Sequence, residues 1–361
     1  MSDKSTRKMI QAYEQEASPT LFMTGFFRAP ESNFHNSEFV EFDIERGEED
    51  IAIVVTDLST GTRMNSADLY TNKSFKPPIF DETIPLSSFD LIKRQPGSDP
   101  FADISFRANI VRYMMKGMIK LSGKINRSIE LQASQVLQTG TITLIDKNGV
   151  ALYEIDFKPK STHFPTAGTT WGQVGADPLA DVDALAEVNR DDGKLDSDIC
   201  VFGKDAWAEF VRDAKVQALL DNRRINKGDI MRTQNRGNGG KYHGTIDINN
   251  YSYDLWTYGG RYKHPQTGTI TRYMSDEKVI VMSSGTRLDA TYGTIPNIGK
   301  ELGLNAVNVP EIPSRMMAGG VGLTPYIYPS TDGRQLFGNV GTRALMIPTA
   351  IDTFGCLDTG L

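Results

Sequence analysis

The sequence predicts an α+β fold built on one long spine helix, with an extended two-stranded loop leading into it and a mixed second domain behind it. Three observations predict this. From Asp99 to Gln138, Phe101, Ile104, Ala108, Val111, Met115, Met118, Ile125, Ile129, Ala133 and Val136 recur at steps of three, four or seven, which is a single apolar stripe. Ahead of it, a run from Gly47 to Pro96-Gly97 is extended by composition and holds little that could form a core of its own. Behind it, Asn148-Gly149 stands between two β-rich runs, the strongest short-range hairpin signal, and strand-like and helix-like segments follow.

The helix has readable ends. Pro96-Gly97 stops the preceding chain, Asp99 can cap, and Pro100 fits the first helical position, where a missing N–H costs nothing. Gly140 provides the stop. At 1.5 Å per residue such a helix is roughly 60 Å long, more than an ordinary domain can cover. It reads as a girder, and girders suit assembly. Pro96 and Gly97 at its root are a candidate hinge.

The other elements follow in chain order. Residues 1–20 are a polar arm with some helical tendency. Leu21 to Arg28, rich in aromatics, is a core strand or turn. Alternation from Glu38 to Phe42 and the apolar run Asp50 to Val55 are strands. Thr62 to Asp90 is mostly extended, and Pro77-Pro78, which cannot donate to a sheet ladder, marks an edge, a bend or the tip of an arm lying on a neighbouring subunit. Thr141–Ile145 and Ala151–Phe157 flank the Asn-Gly turn. Asp177-Pro178 opens a helix with Val182, Leu185 and Ala186 inward, and Asp198–Phe202 is a strand. Asp205 begins an amphipathic helix carrying Trp207, Phe210, Val211, Ala214 and Ala218 and ending near Asn222-Arg223-Arg224. Residues 225–241 form an exposed loop, and Tyr251–Tyr258, Ile270–Met274 and Val279–Met282 are strands. A loop from Pro310 to Gly322 precedes the last strands, Pro325–Tyr328 and Ala344–Ile347.

With 361 residues, 39% hydrophobic and 23% charged, the chain can build two or three subdomains and is not of disordered composition. A net charge of −6 argues against a dedicated basic nucleic-acid binder, without excluding a local basic face on phosphate. The polar first fifteen residues do not form a signal peptide, and no apolar run is long enough to span a membrane. Cys200, within Ile-Cys-Val-Phe, is expected as a buried thiol. With Cys356 far away in sequence, a disulfide framework is not expected, and a reducing cytoplasm fits.

Catalytic and cofactor motifs do not assemble. His35, His163, His243 and His264 lack metal-type spacing and are expected at the surface or as satisfied core residues. Gly240-Lys241 resembles half a phosphate loop, but Tyr242 replaces the Ser/Thr and Asn235 the first glycine; the same Tyr242 breaks a dinucleotide fingerprint begun at Gly237 and Gly239. There is no G-x-S-x-G elbow. The acidic run Asp191 to Asp198, aligned from Asn189 as a calcium loop, needs Glu where Cys200 stands, so it reads as a solvated turn. No catalytic, cofactor or metal residue is therefore assigned. One charge pattern stands out. Arg112, Lys116, Lys120 and Lys124 recur every fourth residue of the long helix, with Arg107 and Arg127 flanking. They form either an ordinary solvated face or a strip facing something anionic, a neighbour's carboxylates or confined nucleic acid.

Taken in order, these features resemble a family. Thr20-Leu21-Phe22-Met23 with Phe26-Phe27-Arg28, the junction Leu91 to Pro100 with Arg94, Pro96 and Asp99, Gly168-Thr169-Thr170-Trp171 followed by Asp177-Pro178, Asp181 and Ala184, Val201-Phe202 with Trp207, Phe210 and Leu220-Asp221-Asn222-Arg223-Arg224, and the closing run Leu345 to Asp352 are collinear with, and similar to, major capsid proteins of the bacteriophage lambda type, the phage major capsid protein E family. The resemblance implies an HK-97-type capsid fold: an N-terminal arm and first strand at 1–46, an extended loop at 47–97, a peripheral domain with the spine helix and hairpin at 98–165, an axial domain at 166–325, and a return to the peripheral domain at 326–361. It implies a non-enzymatic subunit of a tailed double-stranded DNA phage, forming pentamers and hexamers of an icosahedral head shell, assembled in the bacterial cytoplasm and residing in the virion. A separate scaffolding protein, a portal, a maturation protease, a decoration protein and non-specifically packaged DNA are the implied partners, with no cofactor and no membrane. The alternatives are the shell of a cellular nanocompartment and a soluble enzyme with an unrecognised site.

Overall fold

The structure, a computed structural model, describes residues 21–35, 40–44, 71–87, 106–145, 151–220, 239–249, 251–293, 322–330 and 335–361. The expected strand at 50–55, the hinge Pro96-Gly97 with Asp99 and Pro100, the turn Asn148-Gly149 and the loops 225–238 and 310–321 lie outside the described residues. The chain divides into two compact units, one from residues 78–128 and 292–344, the other from 20–77, 129–291 and 345–361.

The short strands β1 (Phe34–His35), β2 (Val40–Ile44) and β3 (Thr71–Phe75) precede β4 (Phe80–Ser87), and the spine helix α1 spans Phe106–Thr139. The first unit sets the leading part of α1 with a three-stranded antiparallel sheet ordered β14 (Thr324–Pro329), β15 (Gln335–Thr342), β4. Gly117 permits a close approach: a Cβ there would stand 2.9 Å from Ile84 Cδ1. Met114, Met118 and Ile125 carry the buried stripe; Met115, expected on it, is half-buried, and Met114 takes its place. α1 ends as expected, with Gly140 at φ 65° donating its N–H to the Val136 carbonyl at 2.8 Å.

In the second unit α1 continues through Ile129, Ala133, Val136 and Leu137, all buried. The hairpin forms as predicted, β5 (Thr141–Ile145) antiparallel to β6 (Ala151–Asp156). Helix α2 (Pro178–Gly193) has Asp177 as its cap, accepting from the Ala180 N–H, and buries Val182, Leu185 and Ala186. The main sheet has five strands in the order β17 (Phe354–Asp358), β12 (Lys278–Met282), β7 (Ile199–Phe202), β9 (Tyr251–Tyr258), β8 (Gly240–Ile248), parallel only between β7 and β9. Central β7 is an unbroken apolar run because both its faces are covered, as parallel pairing requires. Its core gathers Trp171, Val182, Leu185, Phe202, Phe210 and Tyr253. The remaining strands are β10 (Arg261–Lys263) paired with β11 (Ile270–Arg272), and β13 (Asp289–Gly293) between β1 and β16 (Ala344–Ile347).

One expected element is corrected. The helix expected from Asp205 to near Asn222 is two, α3 (Lys204–Arg212) and α4 (Ala214–Leu220). Asp213, extended at ψ 134°, ends the first and uses its Oδ1 to accept from the N–H groups of Lys215 at 2.9 Å and Val216 at 3.1 Å. An Asx side chain competes with the helix backbone and caps a new start. As expected, the segment Leu21–Arg28 is a turn, with a short 3₁₀ stretch at Thr24–Phe26 and with Phe22, Met23 and Phe27 buried. In the closing segment β14 and β15 belong to the first unit, while β17 pairs with β12 in the second. Cys200 and Cys356 are buried and free; burial pushes the Cys356 thiol up to about 12 and the Cys200 thiol higher still.

Candidate assembly surfaces

The cationic strip is laid down by helix periodicity. Residues four apart advance about 40° around an α-helix at each step, so the strip winds as it climbs. Lys116 is half-buried, Lys120 exposed, and Lys124 ion-pairs with Glu82 on β4 at 2.5 Å. The Arg112 side chain lies outside the described residues. Lys116, Lys120 and Arg127 also engage other groups of the chain. Ile119, between the lysines, is 53% exposed. The strip is thus a mixed face of charge and bare aliphatic surface.

Pro77 and Pro78 are buried between β3 and β4, where the chain passes from one unit to the other. β2 pairs antiparallel with β3, Val40 opposite Phe75 and Ile44 opposite Thr71. The prolines follow β3 at the Val40–Phe75 end of this pair, a position suited to their missing N–H groups.

Glu130 is an anchoring residue that sequence reasoning missed. Fully buried on α1, its carboxylate accepts from the Met23 N–H at 2.8 Å, the Thr24 N–H at 2.9 Å, the Thr24 hydroxyl at 2.6 Å and the Tyr258 hydroxyl at 2.7 Å. One side chain thereby ties the N-terminal segment and β9 to the spine. Phe22 completes the anchor, its ring 5.1 Å from Tyr258 and 5.7 Å from Trp256. Further along, Ser134 and Gln138 donate to the Tyr273 carbonyl, and Gln135 exchanges two hydrogen bonds with Thr143 on β5.

The histidines and the acidic run sit as the residue types allow. His163 is buried, its Nδ1 2.9 Å from Asn189 Oδ1 and its Nε2 3.1 Å from Asp192 Oδ2. The Lys160 ammonium, assisted by His163, holds the Asp192 carboxyl below the usual range. Asp196 pairs with Arg190 and Asp198 accepts from Ser284. His243 stacks on Trp207 at 4.1 Å and bonds Thr257 at 2.8 Å; burial, then Lys241, pushes it down to about 4. No group of three or more His, Cys, Asp or Glu side chains among the described residues could hold a metal ion, and no described helix is long and apolar enough to cross a membrane.

Known proteins share this build. Residues 5–354 match the family Phage major capsid protein E. No curated protein sequence matches. The fold is similar to the putative capsid protein of an E. coli CFT073 prophage, at 17% identity and TM-score 0.55 over 81% of this chain and 79% of that one. It is similar to the capsid of Ralstonia phage GP4 at 12% identity and TM-score 0.52, covering 96% and 91%, and to the capsid of cyanophage P-SCSP1u at 8% and 0.51, covering 98% and 93%. With the spine helix, the divided sheets and a family match over nearly the whole length all in agreement, the chain belongs to the phage major capsid protein E family and has the HK-97-type capsid fold.

Proposed function

We propose that this capsid protein acts by association and not by catalysis, forming rings of five and six that close an icosahedral head around double-stranded DNA. One observation supports the reading above others: α1, 34 residues long, is buried along only one side from Tyr113 to Ser128. A permanent interface of a few thousand square ångströms, typical of obligate assemblies, is the natural cover for such a face. The extended loop, with Pro77-Pro78 on it, lies on a neighbour, where unpaired ladder groups find partners. Pro96-Gly97 and the middle of α1 bend as the shell expands. Scaffold, portal, protease and decoration protein are separate chains, and assembly takes place in the host cytoplasm.

Electron microscopy and sedimentation of the expressed chain, with and without its neighbouring gene products, test this. Closed particles of megadalton mass are expected; a small monodisperse oligomer with metabolite turnover overturns the reading. The Lys116–Lys120 face makes shallow, sequence-independent contact with packaged DNA. Lys116→Glu with Lys120→Glu, leaving the Lys124–Glu82 pair intact, is expected to impair DNA retention more than shell yield. Normal packaging by that variant removes the DNA role.

A further inference from the structure

The β10–β11 pair forms a two-stranded ribbon outside the five-stranded sheet. Its register sets Arg261 opposite Arg272 and Lys263 opposite Ile270. Opposed residues share a face, and so do residues two apart on a strand. Arg261, Lys263, Arg272 and Ile270 therefore lie on one face, with Tyr262 and Thr271 on the other. Tyr262 stacks on Tyr273 at 5.0 Å, which roots the ribbon. Residues 259–274 contain no Asp or Glu, in a chain of net charge −6. Arg272 is met by Asp276 at 3.2 Å, whereas Arg261 and Lys263, both exposed, meet no carboxylate among the described residues. Ile270 is 72% exposed. Two guanidinium groups facing each other across a ribbon repel, and a β-branched side chain in water gains nothing. Such a face calls for an anionic partner that also offers a small apolar surface level with Ile270.

The chain itself displays that partner. On α2 the exposed residues Ala180, Ala184, Glu187 and Asp191 form one outward stripe at helical spacing, two alanines followed by two acids. From Ile270 to the arginine pair is two residues of strand, about 7 Å. From Ala184 to midway between Glu187 and Asp191 is about 7.5 Å of helix. Contacts between unlike patches are heterologous, the kind that close rings. We propose that the ribbon of one copy seats on α2 of the next copy around a ring, Ile270 against Ala180 and Ala184, the guanidinium groups of Arg261 and Arg272 against Glu187 and Asp191, and Lys263, level with Ile270, reaching along the helix toward the same carboxylates. This rests on the reading of the chain as a shell subunit.

Charge exchange tests it, in cells where the unmodified chain forms shells. Arg261→Glu with Lys263→Glu is expected to lower the yield of closed particles by at least about tenfold, because like charges then meet. The fold should survive, since Glu at 261 faces Arg272; far-ultraviolet circular dichroism checks this. Glu187→Lys with Asp191→Lys is expected to fail similarly, and all four changes together to restore particles. The inference is overturned if the ribbon variant assembles like its parent, if the folded ribbon variant is not rescued by the α2 changes, or if shells form normally but lose their DNA, which would place the ribbon on the polymer. Absence of shells from the unmodified chain would instead sink the underlying reading.

Discussion

Between Tyr113 and Ser128 the spine helix hides Met114, Gly117, Met118, Ile125 and Asn126 and leaves Ile119, Lys120 and Lys124 in solvent; from Ile129 to Gln138 no residue is exposed. The first stretch is an amphipathic helix with one apolar side, held by packing against Ile84 and its sheet. The second has no outer face, and four of its polar residues, Glu130, Ser134, Gln135 and Gln138, bond named groups on other elements. Apolar packing alone lets a helix slide or turn at small cost, whereas directed hydrogen bonds in a dry interior do not. The difference teaches a division of labour within one helix: an inner part registered to its own chain, and an outer part with one face left bare, the face proposed above to meet a neighbour.

The largest effect is therefore expected at Glu130. Glu130→Ala leaves the Met23 and Thr24 N–H groups and two hydroxyls without their acceptor. At 1–3 kcal/mol for each unsatisfied buried group, with some relaxation, a loss of about 4 kcal/mol is expected in urea unfolding of the unassembled chain. Glu130→Gln keeps one acceptor oxygen but turns an amide N–H₂ toward donors, and should cost about half as much. A loss under about 1 kcal/mol in the alanine variant would break the comparison, since the inner stretch would then be held by packing like the outer.

Little of this anchor could be read from the sequence. The apolar period announced the helix, Gly140 its end, Asn-Gly the hairpin and Asp177-Pro178 the start of α2, because each is a local signal with a local cause. Glu130 has no local signal: its partners lie more than a hundred residues away in sequence. Edge strand β8 escaped notice because its run, Gly-Lys-Tyr-His-Gly-Thr, is polar and its ladder with β9 shifts register between Tyr242 and Gly244. Asp213 was invisible as a break because the apolar face continues across it, from Phe210 to Val216. The cationic strip was legible as spacing, but only the fold shows that Lys124 is spent on Glu82.

A pH titration extends the comparison to another polar group taken inside. His243, stacked on Trp207, stays neutral in the folded chain down to about 4, against 6.5 ordinarily. Between those values the unfolded chain binds the extra proton, so stability is intact above about pH 6.5 and falls as the pH drops toward 4. The thermal midpoint should fall across that window, and His243→Gln should flatten the fall. Asp192, whose carboxyl is held low by Lys160 and His163, contributes stability that is lost only at more acid pH, as its folded form finally takes up a proton. An unchanged slope in the His243 variant would mean that the imidazole is solvated in the folded chain.

Gly123 sharpens the outer half of the comparison. A Cβ there would meet only the Arg127 Nη1 at 3.7 Å, so packing does not demand the glycine. Gly123→Ala should therefore stabilise the helix by about 1 kcal/mol, through propensity and a less free unfolded chain. If the middle of α1 is where the subunit flexes during expansion, the same variant should expand more slowly at unchanged assembly yield. A destabilised variant would show that neighbouring side chains already fill that space.

The smallest effect is expected at the ion pair on the outer face. Lys124 and Glu82 stand 2.5 Å apart, but their side chains are 60% and 34% exposed. Water screens such a pair, and ordering two long side chains offsets most of the attraction, so Lys124→Gln should cost no more than about 0.5 kcal/mol, and less in added salt. The comparison is most exposed here. Were the loss to exceed about 1.5 kcal/mol, Lys124 would be fastening α1 to β4 as firmly as a buried partner does, and the outer half could not be counted as surface kept in reserve for a neighbour. A small loss in the free chain together with a marked fall in particle stability would place the value of Lys124 where the division of labour predicts it, in the assembled shell.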